Sequence, residues 1–125
     1  MNKQKGYSLF ELVFVLTIVG LLMAAAIPSY LAIANKAKVL RARLDVATLS
    51  QAVEIQALET GAYPANLAAL LLGGDHARMT YIPKEPWGHD YRYVNHAVIS
   101  YGADNAAGGV GYATDITSAT PYIEL

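Results

Sequence analysis

No cysteine occurs among the 125 residues, so no disulfide can hold this fold together in any compartment. Charge is scarce too. Charged residues make up 15% of the chain, with nine Lys and Arg against ten Asp and Glu, for a net charge of −1. No strongly basic patch argues for nucleic acid. Signatures of common chemistry are also missing. Ser8, Ser29, Ser50, Ser100 and Ser118 stand in no nucleophile elbow. His76, His89 and His96, with Asp75 and Asp90, follow no standard zinc-ligand spacing. Gly108-Gly109-Val110-Gly111 lacks the lysine and the strand–turn–helix setting of a phosphate loop. There is no internal repeat and no low-complexity linker. The length leaves room for one domain.

What the chain does have is a long apolar run near its start, with one acid at its lip. From Leu12 to Asn35, 24 consecutive residues carry no charge. As a helix they would extend ~36 Å, enough for a bilayer core of about 30 Å. Glu11 immediately precedes them, and Lys3, Lys5 and Gly6 stand before it. A carboxylate in that place is costly unless paired or held at the interface. A positive charge about one helical turn away would attract it strongly at low dielectric. Two plainer readings stay open. In one, the run is a signal anchor with Glu11 among the headgroups. In the other, Ala24-Ala25-Ala26 is an ordinary signal-peptidase site and the mature chain begins at Ile27. Against the second stand a long apolar region and a proline at the second mature position.

Gly6-Tyr7-Ser8-Leu9-Phe10-Glu11, followed by the apolar run and Pro28, resembles the leader and first helix of type IV pilins and pseudopilins. The resemblance implies that a prepilin peptidase cuts after Gly6 and methylates the amine of Tyr7. It also implies that Glu11 pairs with the amine of a neighbouring subunit during assembly. Tyr7 stands where that family usually has Phe. Losing the leader with Lys3 and Lys5 would leave a net charge of −3.

Residues 7 to 60 read as one helix: a hydrophobic transmembrane and polymerisation part over 7–34 and an amphipathic part over 35–60. Gly20 and Pro28 lie inside it. Pro28 removes one N–H and crowds the carbonyl of Ala24, so a bend is expected there. The resemblance adds that the segment between them can unwind in filaments. The second half carries two opposed apolar stripes. Ile33, Ala37, Leu40, Leu44, Ala47, Ile55 and Leu58 form one, and Val39, Ala42, Val46, Leu49, Val53 and Ala57 the other. Two stripes imply cover on both sides. One is expected on the chain's own globular part and the Val46–Val53 stripe on neighbouring subunits.

Gly61 is placed to end the helix, and Tyr63-Pro64 to turn the chain. Asn66 is placed to cap a short helix through Leu72, stopped by Gly73-Gly74, with Leu67, Leu70 and Leu71 in the core. Two antiparallel strands follow, Tyr91 to Asn95 and Ala97 to Tyr101, joined tightly at His96. The expected class is α+β. A long N-terminal helix packs on a small domain, residues 61–125, with a short helix and a small antiparallel sheet. So small a domain is marginal alone and needs support from the helix, a metal or neighbouring subunits.

Three further segments narrow the resemblance. Gly61-Ala62-Tyr63-Pro64, the run Lys84-Glu85-Pro86-Trp87-Gly88-His89-Asp90-Tyr91-Arg92-Tyr93, and the loop from Ser100 to Ile116 are similar to the major pseudopilins of type II secretion. By residue type alone, Asp104 and Asp115 around Gly108, Gly109 and Gly111 read as a turn-rich loop with local hydrogen bonds. The resemblance implies instead a structural Ca²⁺ site. Asp104 and Asp115 are its side-chain ligands, and the carbonyls of Tyr101 and Val110 are further ligands. Asn105, Val110, Tyr112 and Thr114 depart from the family's loop, which is usually more acidic, so a weaker affinity is expected.

The function implied is that of a non-enzymatic filament subunit. It sits as a single-pass protein in the bacterial inner membrane with its globular part in the periplasm. Its implied partners are further copies of itself, other pseudopilins, the prepilin peptidase, and an assembly platform with its ATPase. A type IV pilus or competence pilin is the nearest alternative. A membrane-anchored small enzyme or binding protein is the alternative from another class.

Overall fold

A computed structural model describes residues 6–71 and 79–119. The leader lysines, Gly73-Gly74, Asp75 and His76 lie outside the described residues. Helix α1 spans Leu9–Thr60, 52 residues. The chain divides into two compact units, the first ending at Ala34 and the second beginning at Asn35.

In the first unit the helix starts one residue after Ser8 and stays helical through Gly20 and Pro28. Thr17 Oγ donates to the carbonyl of Val13 at 2.8 Å, and Ser29 Oγ to that of Ala25 at 3.4 Å. Such back-bonding satisfies hydroxyls where water is scarce. Every described side chain from Leu9 to Leu31 is exposed.

In the second unit the same helix supplies half of the core. Val39, Ala42, Val46, Leu49 and Val53 recur at spacings of three and four, which puts them on one face. They are buried, with Ala52, against Leu67, Leu70, Tyr91, Val98 and Ile116. Met79, Ile82, Trp87 and Tyr93 pack around that cluster. Fully burying a Val or Leu side chain is worth roughly 1.5–3 kcal/mol. This reverses the expected roles of the two stripes. The Val46–Val53 stripe is the chain's own core, and the opposite stripe lies open, with Leu40 59% and Leu44 61% exposed. Helical periodicity separates two faces but does not say which one the domain covers. The small side chains of Ala42 and Ala52 suit the covered face, because they keep little bulk between helix and sheet.

The helix ends as expected. Gly61 has φ +75°, and its N–H bonds to the carbonyl of Ala57 at 2.9 Å, the single bond of a left-handed C-terminal cap. Asn66 caps the next element, its Oδ1 accepting the N–H of Ala69 at 3.0 Å. That element is a 3-10 helix, Leu67–Leu71. With three residues per turn, Leu67 and Leu70 share a side and are buried. Leu71 faces outward at 39% exposure, contrary to its expected place in the core.

Strand β1, Arg92–Val94, pairs antiparallel with β2, Ala97–Ser100. Both strands are shorter than expected: Asn95 belongs to the turn, and Tyr91 and Tyr101 lie outside the strands. Asn95 and His96 have φ of +51° and +68°, the two left-handed positions of the tight turn that matches strand twist. A third strand, β3, Ile116–Thr117, pairs antiparallel with β2 and completes the sheet in the order β1-β2-β3. Ser118 ties it down: its N–H bonds to the Val98 carbonyl and its Oγ accepts the Val98 N–H, both at 2.9 Å.

Candidate functional sites: the helix start and the 100–116 loop

At the helix start, Ser8 and Glu11 exchange hydrogen bonds. The Ser8 N–H donates to Glu11 Oε2 at 2.9 Å, and the Glu11 N–H donates to Ser8 Oγ at 3.2 Å. This is a capping box, which satisfies two backbone donors that a helix start leaves open. Its Ser-x-x-Glu signature was present in the sequence beside the reading of Glu11 as an assembly carboxylate. Tyr7 lies just outside the box and is 92% exposed. Gly20 has no atom within 4 Å of where a Cβ would stand, so no packing contact requires a glycine there. The helix that follows is long and apolar enough to cross a membrane.

The second site is the loop between β2 and β3. Its base is closed by pairing of Ser100 with Ile116. Two short 3-10 turns, Gly102–Asp104 and Gly111–Ala113, lie against each other within it. Two glycines make that approach possible. A Cβ on Gly102 (φ +71°) would stand 2.9 Å from the Tyr112 carbonyl oxygen. One on Gly109 (φ +96°) would collide with the carbonyl oxygen of Ala113. Asp104 Oδ1 accepts the N–H of Ala106 at 3.2 Å, and Asp115 Oδ2 accepts that of Gly108 at 2.9 Å. These are the local bonds expected of aspartates in turns.

Asp115 Oδ1 differs: it is buried and has no hydrogen-bond partner among the described residues. A buried carboxylate oxygen left unpaired is costly. A hard cation held by oxygen ligands would satisfy it, so the donor set fits calcium. The fit rests on two carboxylates plus main-chain oxygens, since no group of three or more His, Cys, Asp or Glu comes together among the described residues. The Val110 carbonyl already takes the Ala113 N–H at 3.2 Å and has one lone pair left.

The set-aside groups have structural places. Trp87 packs on the core, and His96 stacks on Tyr63 with ring centroids 4.4 Å apart. His89 Nδ1 lies 3.8 Å from Glu85 Oε2. Nothing in the sequence marks Glu85 as an interior residue, yet its side chain is 1% exposed. Burial pushes its carboxyl above the usual range, while hydrogen bonds from Ser100 and the Tyr101 backbone and the charges of His89 and Arg92 pull it back. Asp45, read as one of the charges between two stripes, accepts the Tyr91 hydroxyl at 2.8 Å.

Known proteins match along most of the chain. A family described as prokaryotic N-terminal methylation motif matches residues 1–27. Among curated relatives, type II secretion system core protein G of Vibrio cholerae is 32% identical, over 93% of this chain and 92% of its own. The proteins of that name from Escherichia coli K12 and Pseudomonas aeruginosa are each 29% identical, over 94% and 92% of this chain and 92% and 94% of theirs. The family described as type II secretion system, protein G, matches residues 29–119, which takes in both the buried stripe of α1 and the loop, and this chain belongs to that family.

Proposed function

We propose that the chain is a structural, non-enzymatic subunit of the pseudopilus of a type II secretion system. It is anchored in the inner membrane by the first part of α1, with the second unit in the periplasm. The prepilin peptidase cuts after Gly6 and methylates Tyr7. Copies then polymerise through α1, with Glu11 meeting the new amine of a neighbour. Other pseudopilins join the filament, and an assembly platform with its ATPase supplies the force that moves folded cargo outward. The observation that carries this reading is the family match over residues 29–119, preceded by the methylation motif. The open stripe of Leu40, Leu44, Ile55 and Leu58 supports a homopolymer, since it offers neighbours an apolar face on the half of the helix beyond the membrane run.

The same reading places Ca²⁺ in the 100–116 loop, held by Asp104, Asp115 and the carbonyls of Tyr101 and Val110. A bound ion would neutralise two carboxylates and cross-link a loop that no disulfide can staple. Overexpression with a search for fibres by electron microscopy tests the function, together with mass spectrometry of the mature N-terminus. Fibres of chains beginning at N-methyl-Tyr7 are expected. Mature chains beginning at Ile27, or monomers persisting after extraction, would overturn it.

A further inference from the structure

The open face of α1 is patterned along its length as well as around it. In one group Lys36-Ala37 is followed by Leu40-Arg41, and further on Glu54-Ile55 is followed by Leu58-Glu59. Each residue of the second group follows its counterpart by 18 positions, 36 to 54 and 41 to 59, which is five full turns. The two groups therefore share one side of the helix, and all their residues are exposed. Both have the same spacing: a charge, an apolar neighbour, a second apolar residue three positions on, and a charge. That is the spacing of the g, a, d and e positions of a coiled coil, where a and d form the seam and g and e flank it. Only the sign differs. Lys36 and Arg41 are positive, and Glu54 and Glu59 are negative.

This pattern does not suit a parallel copy without a shift. Lys36 would then face Arg41, and Glu54 would face Glu59, like against like. A parallel copy displaced by five turns, about 27 Å, reverses both relations. Lys36 of one copy then flanks Glu59 of the other, and Arg41 flanks Glu54. Leu40 lies on Leu58 and Ala37 on Ile55. The second unit leaves this seam uncovered, with Leu58 83% exposed. Arg41 leans on Asp45 at 3.7 Å and Glu54 takes the Tyr63 hydroxyl at 3.5 Å, both at exposed sites where such contacts are weak and easily exchanged. The basic group also follows directly on the apolar run, where anionic headgroups would attract it. Lipid would leave the acidic group and the match at 18 positions without a role, so a second copy fits better.

We propose that residues 36–41 of one copy pack against residues 54–59 of a second, parallel copy shifted by five helical turns. The place of this contact in an assembly rests on the filament reading above. Each copy offers a basic group to one neighbour and an acidic group to another, so the contact repeats instead of closing on itself.

The test uses the full chain in cells, and the lack of native cysteine makes disulfide trapping clean. A chain with both Leu40→Cys and Leu58→Cys should give a ladder of linked oligomers on oxidation with copper phenanthroline. The two sites stand about 27 Å apart on one helix, far beyond the ~7 Å Cα separation that a disulfide spans, so every bridge joins two copies. Either substitution alone should give no bridge. Dimers from the single variants would show an unshifted contact and overturn the proposal, as would a double variant that stays monomeric. Charge exchange is the second arm. Lys36→Glu with Arg41→Gln, the glutamine sparing nearby Asp45, should lose fibres, and so should Glu54→Lys with Glu59→Gln. Expressed together, the two chains should form mixed fibres. Fibres lost only from the first chain would assign the basic group to anionic lipid and overturn the proposal. Native yield from both chains alone, or no gain on co-expression, would overturn it as well. Thermal melts confirm that each variant is folded, and the disulfide ladder decides if a charge variant is not. If the native chain forms no fibres, the filament reading fails, and the ladder alone still decides the contact.

Discussion

Glu11 is already engaged within its own chain, because Ser8 and Glu11 donate to and accept from each other at the start of α1. An assembly role therefore asks the carboxylate to trade one partner for another, and the two roles separate by substitution. Glutamine serves at the third helical position of a capping box as well as glutamate does. Glu11→Gln should keep the helix start, read as unchanged exchange of the amides of residues 8 and 11, while abolishing fibres. Ser8→Ala should do the reverse: lose about 1 kcal/mol of cap with faster exchange there, yet keep the charge and the fibres. Fibres from Glu11→Gln at native yield would remove the ion pair from the account.

The two stripes of α1 give a second pair of opposite outcomes. Val46 is 3% exposed and Leu44 is 61% exposed, although a single residue, Asp45, separates them. Val46→Asp buries a carboxylate among Leu49, Leu70 and Val98 and should unfold the second unit, visible as loss of a cooperative thermal transition. Leu44→Asp should leave the melting temperature within a degree or two and reduce fibre yield. Equal melting loss in both variants would show that both faces are covered within one chain.

The long helix could be read in advance because its signals are local: an uncharged run, a regular spacing and Gly61 at its end. So could the hairpin, whose Asn95-His96 turn lies between alternating strands. Which stripe of α1 meets the domain is decided by residues far along the chain, and periodicity is silent on that. Strand β3 is two residues long and exists only through its pairing with β2. Leu71 was misplaced because a five-residue 3-10 helix turns every three residues, not every 3.6. Glu85 was invisible for a related reason: nothing local to its turn signals that its side chain is buried. The aspartates of the loop were legible through resemblance; the unpaired oxygen of Asp115 was not.

Tyr91 carries a pH dependence of known sign. Its phenol is held well above its ordinary value, first by burial and then by the hydrogen bond it gives to Asp45. A group whose value rises on folding stabilises the fold fully below its unfolded value, about 10 for tyrosine. That contribution is lost as pH rises through the higher folded value. Tyr91→Phe should cost about 1 kcal/mol at neutral pH. The gap between native and Tyr91→Phe chains in thermal melts should hold from pH 7 to 9 and shrink above pH 10. A gap that grows above pH 10 would show that the hydroxyl is not the donor to Asp45.

Calcium, if it occupies the loop, must show itself as linkage. A ligand that binds only the folded state at a hundred times its Kd adds about 2.7 kcal/mol. For a unit the size of residues 35–125 that amounts to roughly 10 °C or more. Millimolar CaCl2 should therefore raise the native melting temperature by a clear margin, and a chelator should reverse it. Asp104→Ala should abolish the shift. Asp115→Asn should abolish it too, while its remaining side-chain oxygen can still accept the Gly108 N–H and so spare the loop itself. The sharpest reading comes from the calcium-free melts. Because Asp115 Oδ1 is buried without a partner, Asp115→Asn should melt no lower than the native chain when no calcium is present, and only fall behind when it is added. A variant that loses stability equally with and without calcium would mean that Asp115 supports the turn and holds no ion.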